Sequence, residues 1–234
     1  MQEKQNIGSL FNRIAPTYDF LNHLLSLNID KWWRRKAVRF LKKKTVSGQC
    51  LDVAIGTADL SIELARQLPD LTITGIDLST EMMRLGEKKV IEKGLQNRIS
   101  FQETSALDMP FADATFDVVT CGFGIRNFSD LDRGLREMIR VLKEGGVMLV
   151  LEFSYPENKA VAWFYDLYFS RILPRIGRLL SKDKTAYSYL NRSVKNFLWG
   201  EPMCRHIKEL STRIRSVSRH PLTFGIATVY VVEL

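Results

Sequence analysis

From about residue 49, short apolar runs alternate with stretches in which apolar residues recur at helical spacing. The clearest helical stretch runs from Ala58 to Leu68. Strands that alternate with helices of about 10 to 15 residues pair in parallel through right-handed crossovers. Because the runs are apolar throughout, we expect a sheet covered by helices on both faces. The predicted strands are CLDVA, LTITGID, RISFQE, FDVVTC and VMLVLEF.

Capping residues mark the ends of the predicted helices. Ser79 is placed to cap the helix that follows the second strand. Ser129, with Asp132 three residues further on, resembles a capping box and predicts a helix that runs to Lys143. The pair Gly145-Gly146 would then stop that helix before the fifth strand.

The alternation ends after Phe153. A helix from about Glu201 is followed by RIRSVSR and GIATVYVVEL, which should pair as antiparallel strands because no long helix separates them. We therefore expect a single domain over residues 1–234. Its predicted parts are a helical N-terminal segment (1–45), a core (46–155), a helical insertion rich in aromatic residues (156–200), and a closing helix with a hairpin (201–234).

Composition narrows the class of protein. The chain has 234 residues, of which 45% are apolar and 26% charged, as is usual for globular proteins. The sequence contains no run of about 18 uncharged apolar residues, so we expect no membrane-spanning helix. The N-terminus has no signal-peptide pattern. The three cysteines lie far apart and indicate neither a disulfide framework nor a zinc site. We expect a cytoplasmic protein.

The net charge of +8 is concentrated in two segments. Residues 31–44 contain eight Lys or Arg and no acid, and residues 171–219 contain twelve against three acids. Three interpretations stay open: solvated helix faces, an anionic membrane surface, or nucleic acid.

The first predicted strand runs into a turn with a single glycine. Methyltransferases have an acidic-x-G-x-G-x-G pattern here, and this chain reads Asp52-Val-Ala54-Ile-Gly56-Thr-Ala58. A dinucleotide turn must bring backbone amides against a pyrophosphate. S-adenosylmethionine has no phosphate, so one glycine can suffice for it. A plain strand–helix turn is the alternative.

An acidic residue ends the second predicted strand. Asp77 follows the turn by about twenty residues, the spacing at which an acid accepts hydrogen bonds from ribose hydroxyls in dinucleotide folds. A lone Asp after a strand is more often a helix cap. Taken with the turn, Asp77 favours a nucleoside-containing cofactor.

Nearly the whole chain resembles the ubiquinone/menaquinone biosynthesis C-methyltransferases, with the greatest likeness to the bacterial demethylmenaquinone methyltransferases. The FGIRN and IAPTYD stretches are the motifs most specific to quinone methylation. The resemblance implies an α/β, class I S-adenosylmethionine-dependent methyltransferase fold: a Rossmann-like, mostly parallel seven-stranded sheet with an antiparallel C-terminal strand. The matching stretches are FNRIAPTYDFLNHLLS, LDVAIGTADL, GIDLSTEMM, ALDMPFADATFD, FGIRNFSD, GLREMIRVLKEGG, LVLEFSYP, YSYLNRSVKNFLWGE and PLTFGIATVY.

The same resemblance implies S-adenosylmethionine as the cofactor, S-adenosylhomocysteine as its product, and no metal. The N-terminal segment is expected to cover the cofactor, and Ser105 falls at the position that contacts the adenine edge. The chain departs from the family at Ile55, where glycine or threonine is frequent, and at Ala58, where glycine is common. The implied cofactor-binding residues are Tyr18, Asp52, Gly56, Thr57, Asp77, Ser105, Ala106 and Gly122.

The implied reaction is methyl transfer to a ring carbon of demethylmenaquinol, in menaquinone biosynthesis. The implied catalytic residues are Arg126 and Asn127, which follow the fourth strand. Because arginine keeps its proton, Arg126 would stabilise the quinolate oxygen rather than act as a base, and Asn127 would orient the ring or its water. Pairing of Arg126 with Asp130 or Asp132 is the alternative. His23 is a weaker candidate for the base.

The substrate implied by the resemblance carries an isoprenoid tail and resides in the bilayer. The aromatic stretch at 160–180 suits an interfacial helix, so we expect transient contact with the inner face of the cytoplasmic membrane. The alternative for that stretch is a place in the core or in a homodimer interface. Tyr189 could line the acceptor pocket or be an ordinary core residue. No nucleic acid is expected, because no platform of interleaved aromatic and basic residues is present. The alternatives are a benzoquinol or other small lipid or aromatic acceptor, and a non-catalytic cofactor- or RNA-binding protein.

Overall fold

A mixed β-sheet forms the centre of the molecule. The computed structural model describes residues 8, 11–13, 15, 26, 28–44, 47–168, 193–194 and 197–234. Within that part of the chain the sheet has seven strands in the order β3-β2-β1-β4-β5-β7-β6. The strands are β1 Gly48–Val53, β2 Leu71–Asp77, β3 Ile99–Glu103, β4 Phe116–Gly122, β5 Leu142–Phe153, β6 Ser216–Leu222 and β7 Ala227–Glu233.

The first five strands pair in parallel, and β7 is the one strand of the described sheet that runs in the opposite direction. Strand β7 lies between β5 and β6 and runs against both. This arrangement confirms the predicted fold class and the predicted C-terminal hairpin. Phe153 at the end of β5 pairs with Ala227 at the start of β7. The β6–β7 connection therefore lies at the carboxyl edge of the parallel strands, which is where open α/β sheets bind ligands.

Helices cover both faces of the sheet, as the apolar strands predict. Buried residues of α1, α2 and α3 share one core cluster with one side of the strands. Buried residues of α4 and α6 share a second cluster with the other side. The helices that the structure describes with full bounds are α1 Ile29–Lys42, α2 Asp59–Gln67, α3 Thr80–Glu92, α4 Leu131–Val141, α5 Lys159–Leu167 and α6 Glu201–Glu209.

The helix ends differ in part from the prediction. Ser79 caps α3 as predicted, because its Oγ accepts a hydrogen bond from Met82 N at 3.3 Å. The predicted cap at Ser129 is wrong: Asp130 caps α4 and accepts from Arg133 N at 3.0 Å.

The fifth strand also begins earlier than predicted. Strand β5 starts at Leu142, so α4 ends at Val141 rather than at Lys143. Gly145, at φ +76°, lies inside β5, where the pairing of β4 with β5 shifts register. The glycine pair accommodates an irregularity of the strand and does not stop the helix.

Candidate active site

The turn after β1 has left-handed backbone at all three positions of the glycine pattern. Ala54, Gly56 and Ala58 have φ values of +56°, +55° and +64°. A residue with a Cβ pays about 1 kcal/mol or more in this conformation, so the two alanines store strain. Among the described residues, no atom lies within 4 Å of a Cβ built on Gly56. The glycine therefore leaves open space in front of the turn.

Ile55 points away from that space. Its side chain is buried in the core and packs on Gly75 of β2, where an added Cβ would lie 2.0 Å from Ile55 Cδ1. The family departure at position 55 consequently alters the packing between β1 and β2 and leaves the space before Gly56 untouched.

Asp52 lies beneath the turn. Its carboxylate accepts hydrogen bonds from Ser61 Oγ at 2.6 Å and from Thr120 Oγ1 at 2.7 Å, which ties β1 to α2 and β4. Burial raises the pKa of Asp52 to about 6, although both hydrogen bonds act to lower it. Asp52 and the buried Thr57 support the turn and are not among the described residues that line the cavity.

Asp77 connects the turn to α3. Its Oδ2 accepts from Gly56 N at 2.9 Å, and its Oδ1 accepts from Ser79 N at 2.9 Å. Burial raises the pKa of Asp77 above its ordinary value, although the backbone hydrogen bonds partly oppose this rise. A carboxylate has about four acceptor positions. The backbone N–H groups of Gly56, Ser79 and Leu78 use up to three, so Asp77 retains capacity for a hydroxyl donor while it fixes the turn.

A cavity of about 250 Å³ opens at the carboxyl ends of β1, β2 and β4. The N-terminal segment reaches it through Gly8 and Phe11. Ser105 shapes its rim, because the Ser105 hydroxyl accepts from Leu107 N at 3.1 Å. Of the residues predicted for the site, the cavity brings together Gly56, Asp77, Ser105, Ala106, Gly122 and Asn127.

The sequence reasoning missed the apolar lining of the cavity. Met82 comes from the first turn of α3, and Phe123 and Phe128 come from the loop after β4. The signal was available for the two phenylalanines, since they flank the IRN stretch of the quinone-methylation motif. Tyr18, His23 and Tyr189 lie outside the described residues.

The loop after β4 has a strained start. Phe123, which lines the cavity, has φ +59°, which is uncommon for a residue with a bulky side chain. Asn127 follows in the short 3-10 turn Ile125–Asn127, and its Nδ2 lies 3.5 Å from Phe123 O. Strain of this kind clusters at functional sites.

Arg126 lies in the same loop, behind Phe123, and is not among the described residues that line the cavity. Its Nη1 donates to Glu152 Oε1 at 2.7 Å and also to Phe123 O, and Glu152 Oε2 accepts from Arg126 N at 3.3 Å. The side chains of the pair are only 5% and 0% exposed. The guanidinium also lies 5.2 Å from the ring centroid of Phe153. Glu152 was missed by the sequence reasoning.

The alternative partners for Arg126 are therefore wrong. Asp130 caps α4, and Asp132 Oδ1 lies at hydrogen-bond distance, 2.7 Å, from His206 Nε2. Among the described residues, the guanidinium pairs with Glu152 on the neighbouring strand and with neither of these carboxylates.

This sheet, with a cavity at the carboxyl ends of its parallel strands, has the architecture of the S-adenosylmethionine-dependent methyltransferases. A methyltransferase of this kind from Thermotoga maritima aligns over 96% of this chain and 98% of its own, with a TM-score of 0.65 and 17% identity. The phosphoethanolamine N-methyltransferase 2 of Haemonchus contortus, solved with S-adenosyl-L-methionine, aligns over 80% of this chain and 38% of its own, with a TM-score of 0.57 and 19% identity. At such identities the likeness concerns the fold.

The chain belongs to the ubiE/COQ5 methyltransferase family, whose model matches residues 1–232. It is 43% identical over 229 residues to the demethylmenaquinone methyltransferase of Bacteroides fragilis, covering 98% of this chain and 92% of the relative. It is 44% identical over 235 residues to the ubiquinone/menaquinone biosynthesis C-methyltransferase UbiE of Geotalea daltonii, covering 99% and 97%. These findings confirm the resemblance drawn from the motifs.

Proposed function

We propose that this methyltransferase transfers the methyl group of S-adenosylmethionine to a ring carbon of demethylmenaquinol, giving menaquinol and S-adenosylhomocysteine. One observation carries the proposal. A single cavity joins the turn at Gly56 and Asp77 to the loop that carries Asn127 and Phe128. The proposal is supported by the family and by the Bacteroides fragilis relative, which bears the name of this activity over nearly the whole chain.

The described residues fit the cofactor. Asp77 has acceptor capacity for a ribose hydroxyl, Gly56 leaves space before the turn, and Ser105 with Ala106 lines the rim where the adenine edge would lie. Gly122 would border the methyl group. S-adenosylmethionine supplies a methyl group that its sulfonium already activates. Asp52 and Thr57 would act through the turn, and Tyr18 through the N-terminal segment that reaches the cavity at Phe11.

The acceptor end of the cavity suits an aromatic ring. Phe123 and Phe128 offer apolar surface, and the amide of Asn127 can both donate to and accept from a ring hydroxyl. A ring carbon becomes a better nucleophile when the neighbouring hydroxyl loses its proton, which requires the reduced quinol. Orienting that carbon toward the methyl group can contribute on the order of 7 kcal/mol in favourable cases.

Arg126 would contribute at the same end in two ways. Its hydrogen bond to Phe123 O holds the loop that carries Asn127. Its fixed positive charge would favour negative charge on the quinolate oxygen, since oriented charges act strongly where water is excluded. Glu152 offsets part of this charge and fixes where the guanidinium lies.

A benzoquinol of the ubiquinone pathway is the second candidate acceptor. The name of the Geotalea daltonii relative includes both quinones. The names of the relatives from Bacteroides fragilis, Porphyromonas gingivalis and Chlorobaculum parvum include demethylmenaquinone alone. The balance of these names favours the naphthoquinol.

We also propose that the protein works at the inner face of the cytoplasmic membrane, where a quinol with an isoprenoid tail resides. Among the described residues, no helix is both long and apolar enough to cross a membrane. Helix α5 exposes Trp163 and Phe164, whose rings meet edge to face at 4.9 Å, as suits an interfacial helix. The rest of the stretch at 160–180 lies beyond the described residues from position 169 onward.

The decisive experiment is a methyl-transfer assay with labelled S-adenosylmethionine and chemically reduced demethylmenaquinone, with a benzoquinol precursor in parallel. Product is identified by mass spectrometry, and the oxidised quinones serve as controls that should give none. Methylated menaquinol supports the proposal, and methylated benzoquinol alone assigns the second acceptor. If neither quinol is methylated while calorimetry still shows cofactor binding, the acceptor assignment fails.

A further inference from the structure

The tip of the β6–β7 hairpin presents a phenylalanine to solvent. Phe224 is 79% exposed, more than any other exposed large apolar side chain in the described part of the chain. Thr223 and Phe224 have φ values of +45° and +56°. Two consecutive residues with side chains rarely adopt left-handed backbone, and a β-branched residue does so least readily. The tip is therefore strained, and this backbone conformation leaves the Phe224 ring exposed.

Several contacts hold the tip in this shape. Trp33 Nε1 of α1 donates to Thr223 Oγ1 at 2.8 Å, and Ser154 Oγ donates to Gly225 O at 3.0 Å. Backbone strain persists only where the surroundings fix it, and it concentrates at functional positions. The exposed ring is thus displayed by a braced turn.

The helix that braces the tip carries a basic face. Lys31, Arg35 and Arg39 of α1 are exposed and recur every four residues. Trp32 beside them is 43% exposed, and Lys36 Nζ lies 5.4 Å from its ring centroid. A helix with basic and aromatic residues on its exposed face is suited to an anionic lipid surface.

This surface adjoins the acceptor end of the cavity. The Trp33 ring lies 6.1 Å from that of Phe123, which lines the cavity, and 5.9 Å from that of Phe153, at the carboxyl end of β5. Ala227 pairs with Phe153, so the tip lies at the same edge of the sheet. A lipid surface held here would lie at the edge of the sheet where the cavity is found, within reach of an acceptor with a long tail.

We propose that Phe224, Trp32, Lys31, Arg35 and Arg39 form a docking face for an anionic phospholipid bilayer, with the Phe224 ring entering the interfacial region. The basic residues attract the anionic headgroups, and the ring transfers apolar surface out of water. The choice of a bilayer as the occupant rests on this charge complementarity and on the proposed lipid substrate.

The test measures binding to vesicles of phosphatidylglycerol and phosphatidylcholine by co-sedimentation. Phe224→Ala and the double variant Lys31→Glu/Arg35→Glu should each weaken binding by about tenfold. Ile91→Ala and Lys88→Glu/Lys93→Glu are the matched controls. They alter an exposed apolar residue and exposed lysines near the end of α3, which runs back toward the amino edge of the sheet, and should bind as the parent does.

A second measurement locates the ring. In Phe224→Trp made on a Trp32→Phe background, the new indole should show a blue-shifted emission on binding and stronger quenching by brominated phospholipid than Trp32→Phe alone shows. Equal quenching in these two proteins would place position 224 outside the lipid and overturn the proposal.

The remaining outcomes separate this proposal from the proposed function. The docking face is overturned if the parent protein does not bind the anionic vesicles. It is also overturned if Phe224→Ala binds them as tightly as the parent does. Concentration-dependent dimerisation lost in Phe224→Ala would assign the tip to a second copy instead. Methylation of a short-tailed soluble quinol should be equal in parent and Phe224→Ala. If the parent fails that assay while vesicle binding follows the pattern above, the docking face stands and the acceptor assignment fails.

Discussion

Arg126 Nη1 and Glu152 Oε1 lie 2.7 Å apart in an ion pair at the carboxyl ends of β4 and β5, with both side chains almost wholly buried. The carboxylate also accepts from the backbone N–H groups of Arg126 and Phe153. The pair therefore fixes the direction in which the loop leaves β4, and this loop carries Asn127 into the cavity.

Glu152→Gln should destabilise the protein and impair the acceptor step. Removing one partner of a buried ion pair costs on the order of 3 kcal/mol, because the other charge remains buried. Urea unfolding measures this loss. Steady-state kinetics should show a lower kcat with the quinol, while calorimetry shows nearly unchanged cofactor affinity, because Asp77 and the turn are untouched.

Glu144→Gln is the control for that variant. Glu144 pairs with Arg213 at 2.7 Å near the surface, and such pairs contribute about 0–1 kcal/mol. Equal losses of cofactor affinity and quinol turnover in Glu152→Gln would contradict a role confined to the loop.

Asp77→Asn should weaken cofactor binding by about ten- to a hundredfold. The amide would set an NH₂ group against a backbone N–H of Gly56 or Ser79 and would lose acceptor capacity for the ribose. Isothermal calorimetry with S-adenosylhomocysteine measures the change. Asp117→Asn is the matched control, since Asp117 accepts from Gln49 N at 2.8 Å at the amino edge of the sheet. Equal affinity in the two variants would remove Asp77 from the cofactor site.

Ala58→Gly should stabilise the protein by about 0.5–1 kcal/mol. Ala58 has φ +64°, where alanine is strained by about 1–2 kcal/mol. Glycine relieves this strain but loses more conformational entropy on folding, which offsets part of the gain by about 0.5–1 kcal/mol. Thermal unfolding should show a Tm higher by a few degrees. Ala65→Gly, within α2, should lower stability by about 1 kcal/mol. A loss of stability in both variants would mean that the turn carries no relievable strain at position 58.

The stability of the protein should fall between about pH 4 and pH 6 through Asp52. In the unfolded chain Asp52 titrates near its ordinary pKa of 3.8, whereas burial raises the pKa in the folded protein to about 6. The folded state then holds a proton that the unfolded state releases, so the stability present below pH 4 is lost as the pH rises through 6. Two pKa units correspond to about 3 kcal/mol.

Asp52→Asn removes that titration and provides the measurement. The difference in unfolding free energy between parent and variant should decline across this range, as measured by urea unfolding at several pH values. Asp77, whose pKa is raised in the same direction, is present in both proteins and cancels. Parallel stability curves would show that Asp52 is already ionised at pH 4 in the folded protein.

The strands and their parallel pairing could be predicted because apolar runs and helical spacing are local signals. The partner of Arg126 could not, since Glu152 lies 26 residues away on a strand that pairing brings alongside. A signal was present nonetheless: Glu152 stands alone among apolar residues in VMLVLEF, and an acid buried in a strand requires a partner.

The backbone of the cofactor turn was hidden for a different reason. Alanine at positions 54 and 58 gives no indication of left-handed backbone, because alanine prefers other conformations. The same applies to Phe123 and Phe224, whose positive φ values are imposed by contacts distant in sequence. Strain of tertiary origin leaves no local pattern.

The contact between Ile55 and Gly75 makes these two positions a compensating pair in any redesign of this protein. Restoring a small residue at 55 alone would open a void between β1 and β2, at a cost of about 2–5 kcal/mol for the loss of so large a side chain. Enlarging Gly75 alone would collide with Ile55. A graft of this turn into another methyltransferase must therefore carry Gly75 with it.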